Sequence, residues 1–92
     1  MRVEWDPDKA RENRRKHGVD FADAAIALED ENALTIEDRD HHEVRFKTLG
    51  MGPQLKIVLV AHTLRAGGRI RIISARRATR AQTRQYFKGI EP

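Results

Sequence analysis

Between Gly68 and Gly89 the chain gathers Arg69, Arg71, Arg76, Arg77, Arg80, Arg84 and Lys88, together with Ser74, Thr79 and Tyr86. A guanidinium carries a rigid fork of donors that matches the oxygens of a phosphate, and a hydroxyl or phenol adds a neutral donor. Such a set suits a phosphate-rich ligand. The same residue types also fit a solvated basic edge strand followed by a surface helix, because Arg and Lys protect sheet edges. Residue type alone leaves both readings open.

These side chains must be held by a strand that feeds a helix. Arg69 to Ile73 is rich in β-branched and long residues and starts after Gly67-Gly68. Strict alternation puts Arg69, Arg71, Ile73 and Ala75 on one face, and Ile70, Ile72 and Ser74 on the other. Arg76 and Arg77 follow as the chain leaves the sheet. Thr79 with Gln82 three residues later fits a capping box, and Gly89 fits a helix stop.

The 92 residues suffice for one domain, 1–92, with one modest core. Hydrophobic residues make up 39% and charged residues 35%, so the surface is highly charged. Cysteine is absent, which excludes disulfides and thiolate metal sites. There is no apolar run of membrane-spanning length, and the start MRVEWDPDK does not read as a signal peptide. A soluble cytoplasmic protein is the expectation.

Charge is unevenly distributed. Residues 1–43 hold 7 Lys/Arg against 13 Asp/Glu, a balance of −6, whereas residues 44–92 hold 11 against 1, a balance of +10. The stretch from Val44 to Ile90 has no acidic side chain. A positive surface of this kind attracts a polyanion: nucleic acid, or an acidic partner protein. Anionic membrane fits less well, since the basic part reads as strands rather than an amphipathic helix.

In chain order, Val3 to Trp5 reads as a short strand. Asp6-Pro7 opens a helix over Pro7 to His17, with Asp8 near its start and Arg14, Arg15, Lys16 and His17 near its end, an order that complements the helix dipole. Gly18 stops it. Asp20 caps a second helix whose Phe21, Ala24, Ala25 and Leu28 recur at helical spacing and must face the core. Leu34 to Glu37 and Val44 to Leu49 read as strands, separated by a polar turn at Asp38 to Glu43. Gly50 to Gln54 reads as a turn. Leu55 to Thr63 is the most apolar run and the candidate central strand, and Leu64 to Gly68 is a hairpin turn. Consecutive strands with short turns predict an α+β fold: a mainly antiparallel sheet with two N-terminal helices and one C-terminal helix packed on it.

Over nearly its whole length the sequence resembles the BrnT ribonuclease toxins, the toxin half of a type II toxin–antitoxin pair with a RelE-like fold. The resemblance rests on Glu4-Trp5-Asp6, on Asn13 followed by Lys16-His17-Gly18, and on Phe21 and Ala24. It continues through Glu43-Val44-Arg45-Phe46 with Leu49-Gly50, the segment from Arg71 to Ala78, and Tyr86. The family usually has Glu where this chain has Gln82. The capping-box role tolerates Gln, so the position is read as structural. The resemblance implies RNA cleavage without a metal or other cofactor. It also implies a BrnA-like antitoxin, expected to be a DNA-binding protein, in a hetero-oligomeric complex.

In such cleavage a 2′-hydroxyl attacks its own phosphate. One group must take a proton, another must meet the added phosphoryl charge, and a third should protonate the leaving oxygen. Given the resemblance, His17 is the acid/base candidate, since imidazole titrates near neutrality. It could equally be a cation at a helix C-terminus. Lys16 beside it is a phosphate contact or a plain surface charge. Arg71, Arg76 and Arg45 are the candidates for charge stabilisation, and Tyr86 for donation to the leaving group or base stacking. Arg69, Arg77, Arg80 and Arg84 are expected to bind RNA. His62, on the most apolar strand, is expected to be a satisfied core or rim histidine. Asp38, Asp40, His41, His42 and Glu43 have metal-ligand types, but adjacent histidines cannot share one strand face, so no metal site is expected. Two other classes use the same basic half: a non-catalytic nucleic-acid-binding module, which would show no turnover to lose with His17, and a pure protein-interaction domain.

Overall fold

The computed structural model describes residues 1–39 and 43–90. The expected turn from Asp38 to Glu43, with Asp40, His41 and His42, therefore lies partly outside the described residues. The elements run β1 (Val3–Glu4), α1 (Pro7–His17), α2 (Phe21–Leu28), β2 (Leu34–Asp38), β3 (Arg45–Met51), β4 (Ile57–Arg65), β5 (Arg69–Arg77) and α3 (Arg80–Lys88). The sheet order is β1-β5-β4-β3-β2. From β2 to β5 every pairing is antiparallel, as short turns between consecutive strands dictate, and only β1 joins in parallel, beside β5. The α+β expectation therefore holds. No described helix is long and apolar enough to cross a membrane.

Helix α1 has the bounds that its caps predict. The Asp6 carboxylate accepts from the Asp8 N–H, and Gly18 closes the helix at φ 68°, a left-handed conformation that glycine adopts without a side-chain clash. Asp20 stands at the N-cap of α2 but makes no capping hydrogen bond; its carboxylate lies 3.4 Å from Arg14 instead. Gly89 stops α3 in a right-handed conformation, with its N–H donating to Gln85 O at 3.1 Å.

The core has two parts, one on each face of the sheet. Under α1 and α2, Val58, Val60, Ile72 and Ala75 pack against Val19, Phe21, Ala24 and Ala27. Trp5 meets Phe21 edge-on, with ring centroids 6.1 Å apart. Full burial of a side chain such as Phe21 or Ile72 stabilises by roughly 1.5–3 kcal/mol. Gly50 belongs to β3 rather than to the following turn. A Cβ there would sit 2.1 Å from Ala27 O, so the glycine is what lets α2 lie directly on the strand. On the opposite face α3 covers one end only, where Tyr86 packs with Leu49 and Ile57 and is flanked by Leu34, Met51 and Leu59.

Polar atoms under α1 and α2 are paired. Thr48 Oγ1 bridges Thr35 Oγ1, at 2.7 Å, and His62 Nε2, at 2.9 Å, and the His62 ring stacks on Phe46. Burial pushes the His62 pKa down, which favours the neutral ring. His62 is the satisfied core histidine that its strand suggests.

The alternation expected along β5 breaks at one place. Ala61 pairs with Ser74 but His62 pairs with Ile72, so Ile73 is an extra residue, a β-bulge. Below it the expected faces hold: Ile70 and Ile72 turn to the helices, Arg69 and Arg71 away. Beyond it the parity inverts. Ala75 joins the core, and Ser74 and Arg76 join the arginine face. Arg76 and Arg77 remain within the strand.

Candidate active site

The bulge and one asparagine assemble the site. Because β1 is only two residues long, it leaves the outer edge of β5 unpaired along its upper half, where β4 is the only strand beside it. Asn13 of α1 takes that place. Its Nδ2 donates to Ala75 O at 2.8 Å and to Val19 O at 3.0 Å, and its Oδ1 accepts from the Ala75 N–H at 3.0 Å. The side-chain amide thus supplies both bonds that a neighbouring strand would give Ala75 and satisfies buried backbone groups. It also fixes α1 along the edge of the sheet. One helical turn later, His17 reaches past that edge to the open face.

There His17 meets Lys47 of β3, Ala61 of β4, and Ser74 and Arg76 of β5 around an open groove of about 290 Å³. Lys47, Ala61 and Ser74 are direct neighbours across three strands. Among the described residues neither His17 nor Arg76 has an ion-pair or side-chain hydrogen-bond partner, and both are exposed. Lys47 Nζ lies 3.7 Å from Asp38. Lys16 lies on the helix side of His17, 3.6 Å from Glu12. A hydrogen bond from Arg15, with the charges of Arg15 and Lys16, holds the exposed Glu12 carboxyl below its ordinary range. The groove thus gathers an imidazole, two cations and a hydroxyl around an open space. A smaller cleft of about 60 Å³, lined by Gly18, Asp23, Gly52 and Arg77, lies apart from these residues.

A family model described as "Ribonuclease toxin, BrnT, of type II toxin-antitoxin system" matches residues 5–82. The chain belongs to the BrnT family. The crystal structure of the Brucella abortus ribonuclease toxin BrnT is similar, with a TM-score of 0.70 and 28% identity over 87% of this chain and 99% of that one. No curated protein matches. By family and structure this BrnT chain is a ribonuclease toxin of a type II toxin–antitoxin system, a class that implies an antitoxin partner.

The geometry sorts the residues singled out in this BrnT sequence. His17 and Arg76 come together in the groove, while Lys16 lines an adjoining cleft that shares His17 and Ser74 with it. Arg45 and Arg71 lie further along the same face, Arg45 paired with Glu43 at 3.1 Å and Arg71 with Glu4 at 3.7 Å. Arg69 pairs with Glu4 at 2.8 Å. Arg77 lines the smaller cleft, and Arg80 and Arg84 are exposed on α3.

Tyr86 stands apart from all of them. It is 1% exposed, and its hydroxyl donates to Asp30 Oδ2 at 2.5 Å. Burial, with the Asp30 bond and charge, pushes its pKa up to about 12. Desolvation pulls the Asp30 carboxyl upward, but bonds from Tyr86 and from the Asn32 and Met51 N–H groups together outweigh it and hold the pKa below its ordinary value. This pair ties the end of α2 to β3 and α3. Gln82 completes the capping box with Thr79, as expected.

Two residues of the assembly were not singled out as site residues. Lys47 shares its strand face with Arg45 by simple alternation, so the sequence does carry a signal for it. Asn13 gives no such signal, because nothing local in the sequence marks a helix asparagine as a strand's partner.

Proposed function

We propose that the groove between α1 and the open sheet face cleaves RNA by attack of a 2′-hydroxyl on its adjacent phosphate. The 2′-O–P bond forms and the P–O5′ bond breaks, leaving a 2′,3′-cyclic phosphate and a free 5′-hydroxyl. One proton leaves the 2′-oxygen and one reaches the 5′-oxygen. His17 carries one of these transfers, a role worth about 10²–10⁴-fold in rate when geometry is right. Arg76 and Lys47 face the phosphoryl oxygens, where charge grows in the transition state. Lys16 sits at the edge, where the RNA backbone enters. Tyr86, with its hydroxyl committed to Asp30, has a packing role.

The observation that carries this reading is the convergence of His17, Lys47 and Arg76 on one groove. Two cations beside the phosphate can neutralise the phosphoryl charge, so the chemistry requires no bound metal ion. Cleavage is expected to continue in EDTA and to leave a 2′,3′-cyclic phosphate or its hydrolysis product. Loss of activity in chelator with recovery on adding a divalent ion would overturn the mechanism.

The reading extends to the partner. A BrnA-like, DNA-binding antitoxin, carrying acidic residues against the basic face, would hold the toxin inactive in the cytoplasm as a hetero-oligomer. Toxin expressed alone should arrest growth, and co-expression with the neighbouring open reading frame should relieve it.

A further inference from the structure

One row of side chains crosses the entire open face. Strand by strand it runs Glu4, Arg71, Thr63, Arg45 and Asp38. Carboxylates stand at both ends, and a hydroxyl stands in the middle between two guanidiniums. The side chains of Arg71 and Arg45 remain 33% and 29% exposed. Each has five N–H donors, more than its carboxylate partner uses.

The centre of the row is anomalous. Thr63 is 4% exposed, and its Oγ1 is the one buried side-chain polar atom among the described residues with no hydrogen-bond partner. Thr48, equally buried under α1 and α2, has its hydroxyl bonded on both sides. A buried hydroxyl without a partner destabilises, and valine would fill the same space without that cost. A hydroxyl kept at this place, between two cations on the ligand-binding face, has its use when an anion arrives.

We infer that Arg45, Thr63 and Arg71 form a phosphate subsite for the RNA backbone phosphate next to the one cleaved in the groove. This inference rests on the proposed function. Thr63 is two residues along β4 from Ala61, which lines the groove, a step of about 6.7 Å and of the order of one nucleotide. A phosphodiester offers two non-bridging oxygens, one for each guanidinium, and the Thr63 O–H donates to either. The flanking side chains are long and flexible, so the phosphate reaches the hydroxyl by displacing them without moving the sheet. The flanking phosphate carries the same charge before and during cleavage. The subsite therefore acts on binding rather than on turnover.

Thr63→Val tests it by removing one oxygen at nearly constant volume. The readouts are the melting temperature, the affinity for a 2′-deoxy, non-cleavable oligonucleotide, and kcat and KM on the matching RNA. Each phosphate flanking the cleavage site is also replaced in turn by an uncharged methylphosphonate. Thr63→Val should melt no lower than the parent, bind about tenfold more weakly and raise KM with kcat unchanged. Thr63→Ser, which keeps the hydroxyl, should bind like the parent. One methylphosphonate should weaken the parent by at least that factor, and together with Thr63→Val by less than the product of the two effects, as two changes to one contact must. Parental binding by Thr63→Val, independent multiplication of its effect with that of each methylphosphonate, or a fall in kcat instead of a rise in KM would overturn the inference. If the parent bound the oligonucleotide but cleaved no RNA, the proposed function would fail, and the binding comparisons would still decide the subsite.

Discussion

On one face of the sheet Val58, Val60, Ile72 and Ala75 are sealed under α1 and α2, and the polar side chains of Thr48 and His62 are bonded to each other. On the other, α3 covers only one end, while Lys47, Ser74 and Arg76 border an open groove. The same four long strands build both. The difference shows how a chain rich in charge can still fold: the apolar residues are concentrated where two helices can seal them. The cations collect on the face that α1 and α2 leave open, several of them paired with the carboxylates at its margins. Glu4 and Asp38 flank that face on the two outermost strands, so the positive region is bounded.

The largest effect on the closed side should come from Asn13→Ala. It strips the Ala75 N–H and C=O and the Val19 C=O of their partners in a buried place, at a cost of about 3 kcal/mol. Melting should fall by ~10 °C or more. Cleavage by the fraction still folded should also fall, because His17 is aimed by the same helix. Parental melting would mean that the asparagine does not stand in for a strand.

The next largest should come from Tyr86→Phe, which removes one hydrogen bond to a carboxylate, about 2 kcal/mol, and leaves cleavage unchanged. The pH dependence has a definite sign on each side. Tyr86 is raised from 10.0 to about 12 on folding, so its share of stability is full below pH 10 and is lost as pH rises through about 12. Asp30 is held below its ordinary 3.8, so its share is present above that value and is lost as pH falls through the folded one. Melting curves of the parent and Tyr86→Phe from acid to alkali read both arms, and the alkaline arm should be missing in the variant. A large loss of turnover at parental stability would return Tyr86 to the groove chemistry.

Much of this comparison is legible in the sequence. The bounds of α1 follow from Asp6-Pro7 and Gly18, the capping box from Thr79 and Gln82, and the cationic second half from charge counting. What was hidden depends on contacts distant in sequence. Strict alternation cannot foresee the extra residue at Ile73, which carries Arg76 to the face of Arg71 and Ala75 into the core. Gly50 looks like turn punctuation until α2 is known to lie on it. Tyr86 looks like an available phenol until Asp30, from a loop 56 residues earlier, is found against it.

The smallest effect should be that of Gln82→Glu. Glutamate can keep the bond that Gln82 Oε1 accepts from the Thr79 N–H and adds negative charge at a helix N-terminus. Stability should change by no more than about 0.5 kcal/mol, and cleavage should stay parental. A marked gain in turnover would place residue 82 in the chemistry rather than in the cap.

The division of labour between the two faces is tested most directly by the rate at which Arg76→Ala cleaves a single RNA oligonucleotide, measured on protein whose melting temperature is recorded alongside. Arg76 is exposed, so its loss should cost no more than about 1 kcal/mol of stability. Loss of a donor to the transition-state charge should slow cleavage about a hundredfold or more. An Arg76→Ala variant that melts like the parent and cleaves as fast would contradict the assignment of catalysis to the open face.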